Sequence, residues 1–152
     1  MPVLAGRDLM VRGFADEDRP LLETMYDTIV PLGAALGLPP RDRALRHEWL
    51  AGMCEAINLV GFVDGKLAGH LALFPEDEDA CELMCFVHQD FRRLGLATAL
   101  TRAAVEEARA AGYRRIAVFL DTHNKGARQG LLKFGFRPVW EDLEEAEYSL
   151  TV

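Results

Sequence analysis

Residues 81–136 constrain the fold of this chain more than any other stretch. Positions 83–87 are an unbroken apolar run, Leu-Met-Cys-Phe-Val. Such a run is expected to form a strand covered on both faces. Arg92-Arg93-Leu94-Gly95-Leu96-Ala97-Thr98 then turns the chain into a long helical stretch that Gly112 ends. A second apolar strand follows at 115–120, and a short helix at 125–134 that Gly135 stops. Two strands joined through a helix call for a parallel, right-handed crossover. In open α/β sheets, ligands collect beyond the carboxyl ends of such strands. Those ends carry Val87-His88 and Leu120-Asp121-Thr122-His123-Asn124.

The turn after the first strand is built to hold an anion. Gly95 permits a tight turn and lets a ligand approach the backbone, and Ala97 keeps the next turn narrow. The first N–H groups of a helix have no partner within it, and the helix dipole adds partial positive charge there. Arg92 and Arg93 add full charges to this phosphate cradle. The Gly-Lys-Ser/Thr of a P-loop is missing, and so is the G-x-G-x-x-G of a dinucleotide fold. What does match is Arg/Gln-x-x-Gly-x-Gly/Ala, present as Arg92-x-x-Gly95-x-Ala97 after Val87. With Asn124-x-x-Ala127 and Gly135-Phe136 following in order, the stretch resembles the GCN5-related N-acetyltransferase (GNAT) superfamily. The resemblance covers 81–136 closely and the rest loosely, through the order of elements.

Before this stretch, a first strand is expected at 8–14. Asp16 or Asp18 is placed to cap a helix starting near Pro20, with Leu21, Leu22, Met25, Ile29 and Val30 as its apolar stripe. After a loop at 33–40, Asp42 is placed to cap a second helix reaching Cys54, with Leu45, Trp49 and Met53 at helical spacing. Strands at 57–63 and 66–74 flank Asp64-Gly65, a strong hairpin signal. Residues 136–140 and 147–152 close the chain as a hairpin. The order reads β-α-α-β-β-β-α-β-α-β-β, within one domain spanning 1–152. The resemblance implies an α/β fold: a mixed, mostly antiparallel, twisted sheet of about seven strands, with helices on both faces.

Composition narrows the partners. The net charge is −7, with acids concentrated at 76–79 and 141–147, which disfavours nucleic acid and suits a cationic acceptor. No stretch approaches the length of a membrane span. Met1 to Gly6 is too short for the apolar core of a signal peptide. Three cysteines, an odd number, argue against a disulfide framework and for a reducing, cytoplasmic setting. No metal set is expected, because nothing completes Cys81 and Cys85 at zinc spacing.

The resemblance implies acetyl-CoA as cofactor, and transfer of its acetyl group to a primary amine by direct attack on the thioester. It places the pantetheine arm beside the first strand of the crossover, paired with backbone of Cys85 and Val87. It places the phosphates on the turn of Arg92, Arg93, Leu94, Gly95, Leu96, Ala97 and Thr98, with Asn124 and Ala127 at the second strand's end. The N–H of Cys85 is the candidate oxyanion donor. Its thiol is a poor nucleophile, because an apolar strand raises a thiol pKa. Glu82, His88 and His123 are the candidate bases, ahead of His47 and His70. Tyr26, His47 and Trp49 are candidates for contacting the acceptor, a small-molecule or peptide amine, and a homodimer is left open. One position departs from the pattern. Where the family often carries a tyrosine acid, this chain has Leu131. Transfer of a longer acyl group and a non-catalytic acyl-CoA-binding role both stay open.

Overall fold

The computed structural model describes residues 7–152, so the expectation about Met1 to Gly6 lies outside the described residues. Among the described residues the strands are β1 (Leu9–Gly13), β2 (Ile57–Val63), β3 (Lys66–Pro75), β4 (Ala80–Val87), β5 (Arg115–Asp121), β6 (Arg137–Glu141) and β7 (Glu145–Thr151). The α-helices are α1 (Arg19–Thr28), α2 (Arg43–Met53), α3 (Leu96–Ala110) and α4 (Lys125–Phe134). The chain order is the expected one. The strands form a single sheet, β1-β2-β3-β4-β5-β7-β6. Among the described residues only β4 and β5 pair in parallel.

Local chemistry explains most boundaries. Asp64 and Gly65 both have positive φ, 50° and 82°, as a tight two-residue hairpin turn requires. The Asp42 carboxylate caps α2 by accepting from Leu45 N at 2.9 Å. Asp18 stands at the start of α1, but its carboxylate accepts from Arg12 at 2.7 and 2.8 Å and from Ala15 N at 2.8 Å instead of capping. The buried stripe of α1 is Leu22, Met25 and Tyr26, with Ile29 just beyond its end. Leu21 and Val30, expected on that stripe, are 52% and 54% exposed. Leu21 lies a helical step off the 22-25-26-29 line, and Val30 follows Ile29, which is already extended. On α2, Leu45 is likewise exposed, and Arg46, Leu50 and Met53 turn inward.

The core has two parts. Helices α3 and α4 pack on one face against Leu59, Leu71, Leu73, Cys81, Leu83, Ile116 and Leu120. Helices α1 and α2 pack on the other against Val60, Phe62, Leu67 and Phe86. Small residues bring α3 close. A Cβ added at Gly61 would come within 2.7 Å of Leu96 Cδ1, and one at Gly69 within 3.0 Å of Leu96 Cδ2. The first turn of α3 is therefore seated directly on β2 and β3. At the far edge, Pro138 and a register shift between Pro138 and Trp140 blunt β6 against pairing with another strand.

The expectation of a strand covered on both faces fails along the upper half of β4. Leu83 is buried, but Met84, Cys85, Phe86 and Val87 are only half-buried. The physical reason is that β5 pairs with β4 over three residues, Ala80 to Glu82, and then diverges.

Candidate active site

The divergence of β4 from β5 opens a gap along whose two edges the backbone has no strand partner. His88 N donates to Ala68 O at 2.8 Å, and the β3–β4 register then alternates. That alternation turns Phe86 and Met84 toward β3, and Cys85 and Val87 toward the gap. Val152 N donates to Arg114 O on the other side. Alternation from there turns Val118 and Leu120 toward β7, and Phe119 toward the gap. Buried or half-buried backbone groups without partners are costly. A ligand carrying amides could satisfy them.

Side chains on β4 divide by face. Cys81, Leu83, Cys85 and Val87 join the core under α3 and α4. Glu82, Met84 and Phe86 therefore take the opposite face. Burial pushes the Cys85 thiol up to about 12 and that of Cys81 up to about 11. Neither sulfur is a thiolate near neutral pH. The Glu82 carboxyl is raised above the ordinary range, first by burial and then by Glu76 and Glu147. Glu147 lies on the same face, opposite Phe119, and accepts from Trp140 Nε1 at 2.9 Å.

At the top of β4 lies the turn into α3. Arg93 and Gly95 have φ of 63° and 87°, which turns the chain sharply before the helix. No side chain caps α3. The N–H groups of Leu96, Ala97 and Thr98 therefore remain available, since the first helical bond is Ala99 N to Gly95 O at 3.0 Å. They border a hollow of about 200 Å³ lined by Val87, Phe91, Arg92, Arg93, Gly95, Leu96, Ala97 and Thr98. Leu94 points the other way, into the core. The Arg92 guanidinium donates to Val87 O and Val30 O, both at 3.1 Å, so it braces the turn. Arg93, like Arg92, is exposed beside the hollow.

The remaining candidates separate by surroundings. His88 is 9% exposed, and its Nδ1 accepts from Asp90 N at 3.2 Å. Its Nε2–H then donates to Thr28 Oγ1 at 3.1 Å, so both ring nitrogens are engaged. His123 is exposed at the end of β5 and lies 3.1 Å from Asp121 Oδ1. Asn124 caps α4 by accepting from Ala127 N at 3.1 Å, which leaves its amide N–H groups free for a ligand. Leu131 packs against the core. Tyr148 is 2% exposed, and its hydroxyl accepts from Arg128 Nε at 3.3 Å.

On the face of α1 and α2, Tyr26 is fully buried. Its O–H donates to His70 Nδ1 at 2.6 Å, and His70 Nε2–H donates to Asn58 Oδ1 at 2.6 Å. Asn58 Nδ2 donates to Met53 O and Ala56 O, which fixes the direction of the chain of bonds. Burial lowers the His70 pKa to about 4 and raises that of Tyr26 well above its usual value. Tyr26, Trp49 and Phe86 meet edge to face, with centroids 5.2–5.8 Å apart. His47 bonds Asp27 at 2.9 Å, beside Arg46 at 2.7 Å, in a clasp between α1 and α2. The network through His70 was not foreseen. Its signal was two polar residues, Asn58 and His70, inside apolar strands, where each needs a partner.

Comparison with known proteins agrees with this architecture. The family model described as the acetyltransferase (GNAT) family matches residues 22–136. No curated protein matches the chain. Among solved structures, a GCN5-related N-acetyltransferase from Kribbella flavida superimposes with a TM-score of 0.80 at 19% identity, covering 95% of this chain and 98% of that one. An N-acetyltransferase from Staphylococcus aureus Mu50 gives 0.77 at 22%, covering 95% and 98%. A candidate acetyltransferase from Salmonella typhimurium, solved with its cofactor acetyl-CoA, gives 0.77 at 16%, covering 94% and 93%.

Proposed function

The chain belongs to the GNAT acetyltransferase family, and from that footing we propose that it transfers an acetyl group from acetyl-CoA to a primary amine. The observation that carries this is the gap itself. Its edge at Cys85 and Val87 has no strand partner, only Val87 O being met by Arg92, and it runs up to a helix start whose N–H groups are free. These residues fit the cofactor: an amide-bearing arm along β4, and phosphates at Leu96, Ala97 and Thr98 with Arg93 beside them. Bound there, acetyl-CoA supplies the activated acyl group.

The protein's own groups do the rest. Cys85 N–H donates toward the acyl oxygen as charge develops there. Asn124 holds an amide of the arm with its free N–H groups. Glu82, its carboxyl raised by burial, takes the amine proton directly or through water. The departing thiolate is reprotonated by solvent or by exposed His123, since Leu131 has no proton to give. The acceptor approaches over Met84 and Phe86, with Trp49 beside them. A basic amine, free or on a peptide, suits the net charge of −7. Three free cysteines support a cytoplasmic setting, and residues 1–152 are read as one acyltransferase domain.

Leu131 also favours a second reading, that of an acyl-CoA-binding protein without catalysis. A panel of amines, monitored by thiol release from acetyl-CoA and from longer acyl-CoAs, separates the two. Amine-dependent release is expected. Tight acetyl-CoA binding with no release across the panel would favour the binder.

A further inference from the structure

Three side chains just after β4 reach across to one short segment at the end of α1. Gln89 presents its amide like an extra strand: Oε1 accepts from Val30 N at 2.9 Å, and Nε2 donates to Thr28 O at 2.9 Å. His88 Nε2–H donates to Thr28 Oγ1 at 3.1 Å. Arg92 Nη2 donates to Val30 O at 3.1 Å while its Nε holds Val87 O at 3.1 Å. The carbonyls of a helix's last turn have no partner within the helix. Here the Gln89 amide supplies one, from 61 residues away.

The two sides of this clasp lead to different places. On one side, residues 87–95 carry the gap edge at Val87 and the hollow at Gly95. On the other, Thr28–Val30 feeds the loop that reaches α2 and Trp49, on the face where an acceptor would approach. We propose that Gln89 is a positioning residue that ties the acceptor-side loop to the cofactor turn, so that filling one site orders the other. The proposal rests on the acetyltransferase reading above. Binding at the turn fixes residues 88–92, and through their bonds fixes residues 28–30. Coupling of this kind is reciprocal: an acceptor that orders the loop tightens the cofactor by the same factor.

Gln89 makes the most specific contact, because it needs both a donor and an acceptor. Gln89→Glu keeps the size and the acceptor but sets an oxygen against Thr28 O. It should therefore behave like Gln89→Ala. Arg92 and Thr28 also serve the turn and the helix, so they discriminate less well.

The test is hydrogen exchange of the full chain with and without acetyl-CoA, which requires no acceptor. In the wild type, acetyl-CoA should slow exchange at 93–98 and also at 30–38, the latter by about tenfold, within the usual range of site coupling. In both Gln89 variants, protection at 93–98 should persist and protection at 30–38 should vanish. Equal protection at 30–38 in wild type and variants would overturn the proposal and leave the acetyl-CoA reading standing. Protection nowhere in the wild type would remove the acetyl-CoA reading, and this proposal with it. With a competent amine in hand, Gln89→Ala should raise its KM about tenfold, the order that two hydrogen bonds carry, while kcat and the acetyl-CoA Kd stay within about twofold.

Discussion

Lowering the pH should destabilise this protein by charging one buried histidine. His70 is fully buried between Tyr26 and Asn58, and burial depresses its pKa from 6.5 to about 4. The unfolded chain therefore takes up a proton near pH 6.5, while the folded chain resists until about pH 4. Stability from this group is fully present above pH 6.5, falls as pH drops, and levels off below about 4. One pKa unit corresponds to 1.36 kcal/mol, so the whole span amounts to roughly 3 kcal/mol. That is a large share of a typical domain's ~5–15 kcal/mol. The lowered carboxylates Asp18, Asp27, Asp64, Asp121 and Asp142 begin to lose their contributions about one pH unit above their ordinary value of 3.8, but equally with or without His70, so they cancel from a comparison with a His70 variant. Glu82 acts in the opposite sense: its raised pKa favours the folded state as pH falls, so it flattens the slope slightly.

The assay is urea unfolding at steps from pH 7.5 to 4 for wild type and His70→Gln. Glutamine can donate to Asn58 and accept from Tyr26, yet does not titrate. The wild type should lose about 3 kcal/mol more than the variant across that range. Identical pH slopes would refute the reasoning. Should the variant fold poorly, the ring proton signals of His70 in the wild type decide instead: a midpoint near 6.5 in the native state would be equally fatal.

Three further outcomes follow from the site. Cys85→Ala should keep kcat/KM within about twofold, because the proposed role falls to the backbone N–H and not to the thiol; loss beyond 10²-fold, as for a nucleophile, would reverse that assignment. Gly95→Val should weaken acetyl-CoA binding at least tenfold in calorimetry, since a β-branched residue at φ 87° costs more than about 1 kcal/mol and fills the hollow; unchanged affinity would move the phosphate site elsewhere. Leu131→Tyr should not raise single-turnover rates, because a hydroxyl added to a packed position needs a partner to offset its burial; an increase of 10²-fold would mean that the missing acid limits the enzyme.

Much of the fold was legible because its signals are local. Asp64-Gly65 dictates a hairpin, Gly95 permits a left-handed turn, and Gly112 and Gly135 mark helix ends. The apolar run at 83–87 was also correctly read as a strand. Its covering was misjudged, because hydrophobicity cannot tell a residue buried by protein from one waiting beside a ligand. Tyr26 and His47 illustrate a second limit. Their type suggested contact with an acceptor, but one is sealed against His70 and the other is paired with Asp27. Whether a polar side chain faces a cleft or a partner depends on residues 20 or more positions away. Gln89 shows the same limit in reverse, since nothing near it in sequence announces Thr28 and Val30.

The parallel pair explains why the gap lies where it does. Both β4 and β5 have full antiparallel neighbours, β3 and β7, each paired over seven residues. Those outer ladders hold the two strands in place whether or not they pair with each other. The sheet can therefore part in the middle without coming apart, at the cost of unpaired groups at Cys85, Val87 and Phe119. Arg92 meets part of that cost at Val87 O. The same arginine holds Val30, so the group that partners Val87 O also anchors the loop beside it. Closing the gap with a continuous β4–β5 ladder would remove the backbone edges at the centre of the sheet that a linear, amide-bearing ligand could pair with. On the proposed function, the short pairing at Ala80 to Glu82 is what leaves the upper edges of both strands for the cofactor.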